Sequence, residues 1–171
     1  MTRDHLDIKW VALYTAPRAE KKVCSRLRDK GYNVYLPLIT TVRQWSDRKK
    51  KVETPLISSY VFIQIAHDDL PVVKQEIGVV GVLNYLGKPA VIKAYEIENL
   101  KILLAEQNSI QIYQGETLKK GEPIQVVKGA MMGLIGELVR YQNKTRVIVN
   151  VNACAVAIEV NIPLSFVERI T

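Results

Sequence analysis

Ile8-Lys-Trp-Val-Ala-Leu-Tyr14, Pro17-Arg-Ala-Glu-Lys-Lys-Val-Cys-Ser-Arg-Leu-Arg-Asp-Lys-Gly31 and Tyr32-Asn-Val-Tyr-Leu36 are the three pieces from which the fold is read. The first is apolar and β-prone, as a buried strand is. Pro17 suits the first turn of a helix. Ala19, Val23 and Leu27 then recur every four residues and make one apolar stripe. Arg18, Lys21, Lys22, Arg26, Arg28 and Lys30 fill other positions of that helix, the usual charged outer face. Gly31 can take the positive φ that closes a helix. Tyr32–Leu36 reads as a second strand, stopped by Pro37.

Further strands are expected over Tyr60–Ile65 and Val79–Leu86, with Gly87 and Pro89 ending the latter. A short helix over 69–76 is expected to be capped by Asp68, with Pro71 tolerated in its first turn. Ile97, Leu100, Leu103 and Leu104 mark a helix over 93–107. The order β-α-β-β-α-β-α predicts an α+β domain over residues 1–107, a small, largely antiparallel sheet with helices over it. Residues 108–119 lack a sustained pattern and read as a linker. Residues 120–171 change texture. Five short strands are expected, Pro123–Lys128, Leu134–Tyr141, Arg146–Asn152, Ala155–Asn161 and Ser165–Ile170, separated by turns at 129–133, 142–144, 152–153 and 161–163. So many short strands in one small domain predict a closed β-barrel, because an open sheet of that size exposes its edges. Val147, Val149 and Val151 alternate with Ile148, Asn150 and Asn152, a period of two that argues against a helical form of this domain.

The chain has 171 residues, 48% apolar and 24% charged, enough for a core and unlike a disordered chain. Lys and Arg exceed Asp and Glu by 24 to 17, a +7 balance that suits a polyanionic partner. No apolar run approaches the ~20 residues of a membrane span. The beginning, Met-Thr-Arg-Asp-His-Leu-Asp, has no signal-type apolar stretch, so a cytoplasmic location is expected. Cys24 and Cys154 fit no metal spacing and are not expected to pair.

Arg43-Gln-Trp-Ser-Asp-Arg-Lys-Lys-Lys51 holds five cations and one acid in nine positions. It lies between strands, on an exposed hairpin or loop. Arg43, Arg48, Lys49, Lys50 and Lys51 can bind a phosphate backbone by releasing its counterions, and Trp45 can stack on an unpaired base. The plainer reading is a solvated loop whose tryptophan folds back onto the core. Tyr14, Tyr60 and Phe62 are aromatic strand residues, which most often fill a core. Ile57 sits beside Pro55 and Ser58-Ser59, where the chain turns, and is the candidate for an exposed apolar contact. Lys128-Gly-Ala-Met-Met-Gly-Leu-Ile-Gly136 places Met131, Met132 and Leu134 at a glycine-punctuated turn. They either plug the barrel end or form an adaptable protein-binding patch. His5 and His67 have no motif partner, and Asp68-Asp69 reads as a helix start rather than a metal site. There is no phosphate loop, nucleotide fingerprint, GxSxG or zinc spacing. No enzyme, no catalytic residue, no metal and no cofactor are expected.

Trp10-Val-Ala-Leu-Tyr-Thr-Ala-Pro-Arg-Ala-Glu-Lys-Lys-Val23, Tyr35-Leu-Pro-Leu38, Arg43–Val52, Pro55-Leu56, Tyr60-Val-Phe-Ile63 and the KOW-type turn Val127–Gly136 occur in an order that resembles the NusG family of transcription elongation factors. The likeness covers residues 8–171. The spelling around Arg43–Lys51 is most similar to the specialised antiterminator paralogs of Bacteroidetes, the UpxY family. The resemblance implies an N-terminal domain of the NGN type and a KOW-type β-barrel. It implies binding to the clamp helices of RNA polymerase through an apolar patch, carried here by Ile57 and Tyr60 with Tyr14 nearby. The family's Phe-Pro-Gly-Tyr segment reads Ile57-Ser-Ser-Tyr60 in this chain. The Arg43–Lys51 segment matches the region that meets the non-template DNA strand. The turn of Met131, Met132 and Leu134 matches the barrel loop that meets Rho or a small-subunit ribosomal protein, with Gly129-Ala130 and methionines where the family often has Gly-Pro and phenylalanines. The implied function is a transcription antitermination and elongation factor, working as a monomer. Two other readings stand beside it: a housekeeping factor of the same architecture coupling polymerase to Rho or the ribosome, and a ribosomal-protein-like RNA-binding module.

Overall fold

Strand β1 (Ile8–Thr15) is the centre of the first sheet in this computed structural model, which describes residues 7–107, 110–114, 121–141, 144–151 and 154–170. It pairs antiparallel with β5 (Tyr60–Ala66) along its whole length, from Ile8 opposite Ala66 to Tyr14 opposite Tyr60. Its other edge is shared by β6 (Val79–Val82) and β9 (Val91–Ile92). Strand β2 (Asn33–Tyr35) adds to the far side of β5, so the sheet runs β2-β5-β1-β6.

The two-residue period of these strands places Val11, Leu13, Val34, Val61, Ile63, Ile65 and Val82 on one face. That face packs against Val23, Cys24 and Leu27 of helix α1 (Glu20–Asp29) and Leu70 and Val73 of α2 (Leu70–Lys74). Val23 and Leu27 of the expected stripe are fully buried, and Ala19 packs partly against the same core. Gly31 closes α1 with φ 87°, its N–H donating to Arg28 O at 2.8 Å. Asp68 does not cap the following helix. It lies inside a 3-10 turn, His67–Asp69, and no side-chain cap bond forms there. That turn feeds the chain directly into α2, so Asp69 at the cap position already has helical angles (φ −84°, ψ −11°) rather than extended ones.

The polar stretch after β2 forms a separate two-stranded hairpin, β3 (Leu38–Gln44) with β4 (Lys49–Pro55). A second, smaller hairpin, β7 (Asn84–Tyr85) with β8 (Lys88–Pro89), continues the expected strand 79–86 past β6.

The chain divides into two compact units between Lys93 and Ala94. Helix α3 (Ala94–Ala105), read from sequence as part of the first domain, groups with the second unit. So does β10 (Ile110–Gln114), which lies within the segment read as a linker; the rest of that segment is outside the described residues. Five residues of β10 carry too short a pattern to announce a strand; their pairing with β14 (Val156–Val160) makes it one. The second sheet runs β10-β14-β13-β12-β11-β15, with β11 Glu122–Val126, β12 Ile135–Tyr141, β13 Lys144–Val151 and β15 Val167–Arg169. The five expected strands are all present. Among the described residues no pair joins β15 to β10, so the edges of this sheet are not closed by strand pairing. Of the expected turn at 142–144 Lys144 begins β13, and its other two residues, the turn at 152–153 and His5 lie outside the described residues. Every side chain of β14 is buried, on both faces. Its buried Glu159 is matched by an ion pair with Arg146 of β13.

In the first unit Glu76, nearly buried, accepts a 2.5 Å hydrogen bond from Lys30 Nζ. That bond, outweighing burial, holds the carboxyl below the ordinary glutamate range. A lowered folded-state value stabilises the fold above the unfolded pKa and is lost as pH falls through the folded one. Urea unfolding between neutral pH and pH 3 is expected to show an acid limb beginning below about pH 4.3. Glu76→Gln should be less stable at neutral pH and should flatten that limb.

Candidate functional site

The β3–β4 hairpin belongs to no larger sheet. Its tip is a tight turn, Trp45-Ser-Asp-Arg48, closed by Trp45 N–H donating to Arg48 O at 2.8 Å. Trp45 is 57% exposed, so it does not fold back onto the core. Arg43, Arg48, Lys49, Lys50 and Lys51 are all exposed. The register sets Arg43 directly opposite Lys50, Gln44 opposite Lys49 and Val42 opposite Lys51. Like charges in facing positions of an antiparallel pair are destabilising. Among the described residues none of these five cations has an ion-pair partner, and Asp47 is the one acid in the segment. The hairpin is therefore a cationic finger with an aromatic tip, suited chemically to a single polyanionic strand.

The cations of α1 behave differently. Lys21 Nζ donates to Glu53 O at 2.8 Å, tying the helix to the base of β4. Arg26 donates to Ile77 O, Arg28 to Val34 O, and Lys30 pairs with Glu76. Four of the six basic side chains noted on this helix thus serve the fold itself. The helix is mainly a structural element, as its sequence already suggested.

On the sheet face opposite the α1 core, Tyr14 of β1 and Tyr60 of β5 face each other across the strands. Their ring centroids are 5.4 Å apart with planes at 65°, an edge-to-face pair. Tyr14 is 44% exposed and Tyr60 partly so. Phe62, fully buried, stacks with the half-buried Tyr35 at 6.5 Å. On the other side of Tyr14 its partner is Gly81 of β6, where an added Cβ would meet nothing within 4 Å. The missing side chain leaves open space beside the tyrosine, which sequence reading did not foresee.

Ile57 was expected as an exposed contact, and the structure corrects this: it is 5% exposed. The loop that carries it is laced down. Leu56 N–H donates to Pro37 O, Ser59 O accepts from Thr15 N–H, and Ser59 N–H donates to Glu20 Oε1 at 2.7 Å. Glu20, in the first turn of α1, is a buried anchor for this loop. Ser59 takes φ 64°, which glycine adopts freely and other residues at a cost. The apolar surface here is consequently made by Tyr14 and Tyr60, not by Ile57.

In the second unit the Gly129–Leu134 turn is rigidly bonded. Gly133 N–H donates to Val126 O, Val126 N–H to Leu134 O and Met132 N–H to Gly129 O. Gly129 has φ 86°, and a Cβ there would lie 2.8 Å from the Phe166 ring, so only glycine fits. Of the three turn residues proposed for a partner, Met132 is 65% exposed, whereas Met131 is 7% exposed and Leu134 fully buried. Plugging the end of the sheet describes the latter two. Cys154 is pushed up to about 12 by burial and then by Glu96, which leaves it a protonated, unreactive thiol. Among the described residues no group of three or more His, Cys, Asp or Glu could hold a metal ion, and no helix is long and apolar enough to cross a membrane.

Comparison with known proteins places these features in context. The family model described as "Transcription termination factor nusG" matches residues 8–101, more than half of the chain. Proteins of Streptococcus pyogenes serotypes M3 and M1 called "Transcription termination/antitermination protein NusG" are 27% identical over 174 residues, spanning 93% of this chain and 96% of the relative. A solved structure on domain interaction in Thermotoga maritima NusG covers 96% of this chain and 98% of its own, with 20% identity and a TM-score of 0.47. The MjSpt4:Spt5 complex covers 95% of this chain with 17% identity and a TM-score of 0.31.

Glycine at position 59 relieves the left-handed strain but adds freedom to the unfolded chain. Ser59→Gly is expected to stabilise the protein by roughly 0.5–1 kcal/mol. The change is read as a higher urea midpoint at unchanged slope.

Proposed function

The chain belongs to the NusG family, and from that premise we propose that it is a specialised, non-enzymatic transcription antitermination and elongation factor. The observation that carries this reading is the pairing, in one unit, of an exposed Tyr14–Tyr60 patch with a projecting hairpin whose five cations have no ion-pair partner among the described residues. The patch binds RNA polymerase at its clamp helices. An aromatic pair beside the gap at Gly81 offers a helix both apolar area and room for a protruding side chain. The finger lies against the non-template DNA strand, where phosphates supply the counter-charge for its five cations and Trp45 stacks on a base. The C-terminal unit recruits Rho or a small-subunit ribosomal protein, beginning at Met132.

The mechanism is differential binding. The protein need only hold the closed, elongating polymerase more tightly than the paused one, and a preference of ~1.4 kcal/mol moves that balance tenfold. The near full-length match to the Streptococcus pyogenes proteins favours a second reading, a housekeeping factor that couples polymerase to Rho or the ribosome. Transcription in vitro through a terminator, with and without the protein and Rho, separates the two. Read-through supports antitermination; enhanced Rho-dependent release supports the housekeeping reading.

Replacement of Arg48, Lys49, Lys50 and Lys51 by alanine is expected to weaken recruitment to elongation complexes. It should also reduce the slope of log K against log salt by about 0.7 for each phosphate that is no longer neutralised. The salt series is read by fluorescence anisotropy on a DNA bubble, and an unchanged slope would count against the DNA role of the hairpin.

A further inference from the structure

A cleft of about 440 Å³ opens into the core of the first unit. Its floor is Val11 of β1, Ile65 of β5 and Leu70 of α2, which are only 4–6% exposed and belong to the cluster under the helices. Val91 of β9, set opposite Val11 and 52% exposed, adds an apolar wall. The rim is charged. Lys9, His67 and Lys88 stand on it with one carboxylate, Asp7, and all four are exposed. Asp68 and Asp69, next to His67 in the chain, do not line the cleft. Lys9 pairs with Asp7 at 2.5 Å, but both side chains are largely in solvent, and such a pair is worth little. Among the described residues neither Lys88 nor His67 has an ion-pair partner. Val11 and Ile65 lie on the α1 side of the sheet, so the cleft is on the face opposite the Tyr14–Tyr60 patch.

The volume is that of a small-molecule site, and so is the lining, apolar below with a few polar groups at the mouth. Hydrocarbon at the floor and cations at the mouth select a ligand of matching polarity, an aliphatic tail with one anionic head. We propose that the cleft binds a free medium-chain aliphatic carboxylate, its tail on Val11, Ile65 and Leu70 and its carboxylate between Lys9 and Lys88. The tail gains by leaving water. The lysine methylenes lie along it while their ammonium groups meet the head. A multiply charged phosphate ester suits the rim less well, because Asp7 stands among the cations. A ligand held here leaves the tyrosine pair and the cationic hairpin uncovered, so this binding function is additional to the transcriptional one and does not rest on it.

Octanoate and decanoate, below their micelle concentrations, are titrated into the isotopically labelled full-length protein and followed by amide NMR shifts. Saturating shifts are expected at Lys9, Val11, Ile65, His67 and Val91. Decanoate should bind about tenfold more tightly than octanoate, because two more methylenes leave water. Octanol, the same chain without the charge, should bind severalfold more weakly than octanoate, and acetate, the head without the chain, should shift nothing. Lys88→Glu, at an exposed position, should weaken decanoate about tenfold while amides remote from the hairpin keep their positions. Shifts that never saturate, shifts centred on other amides, or octanol binding as tightly as octanoate would overturn the proposal, as would undiminished affinity in Lys88→Glu. Should Lys88→Glu disturb the β7–β8 hairpin, Lys9→Gln decides, since it gives up only a surface pair with Asp7. Weaker decanoate binding in it supports the site, and unchanged binding overturns it. Neither polymerase nor DNA enters the measurement, so its failure is distinct from failure of the transcription assay.

Discussion

Pairing on both edges of β1 is the constraint from which the first unit follows. It pairs with β5 along its whole length on one side and with β6 and β9 over part of the other, and Trp10–Leu13 are buried within the ladder. Fixing β1 fixes two faces at once. Val11 and Leu13 close the core under α1 and α2, and Tyr14 is carried onto the opposite face with Tyr60 across from it. The tyrosine patch is thus a by-product of core register. A one-residue slip would exchange the two faces.

Charge is sorted by the same architecture. The cations of α1 are within reach of backbone carbonyls and Glu76, and the fold uses them. Those of the β3–β4 hairpin have no ion-pair partner among the described residues, and its ladder places Arg43 opposite Lys50. Arg43 across from Lys50 costs the hairpin some stability. Their juxtaposition is intelligible as a surface whose counter-charge comes from outside. The loop after β4 shows the same logic with the opposite sign: a buried Glu20 holds Ser59 in a backbone conformation that costs energy, and so sets the start of β5 and the position of Tyr60.

The second unit depends on groups distant from its turn. Gly129 is required by the Phe166 ring, and Ile135 is held by the amide of Asn99, thirty-six residues away in sequence. Residues that look like one contiguous greasy turn are consequently split, with Met132 outward and Met131 and Leu134 inward.

Local patterning determined a good deal by itself. The stripe of Ala19, Val23 and Leu27, the stop at Gly31, the two-residue period of Val147–Val151 and the cation cluster of Arg43–Lys51 are short-range signals, because helix and strand periods and charge density are properties of neighbours in the chain. The tertiary structure decided what such signals cannot carry. Burial of Ile57, the strand at Ile110–Gln114, the grouping of α3 with the second sheet, the anchoring by Glu20 and the bond from Asn99 all depend on partners remote in sequence. A side chain's exposure and a polar group's partner are fixed only when another segment arrives to cover or meet it. For that reason the elements were legible in the residues, while the choice of which residues stay exposed was made by the packing.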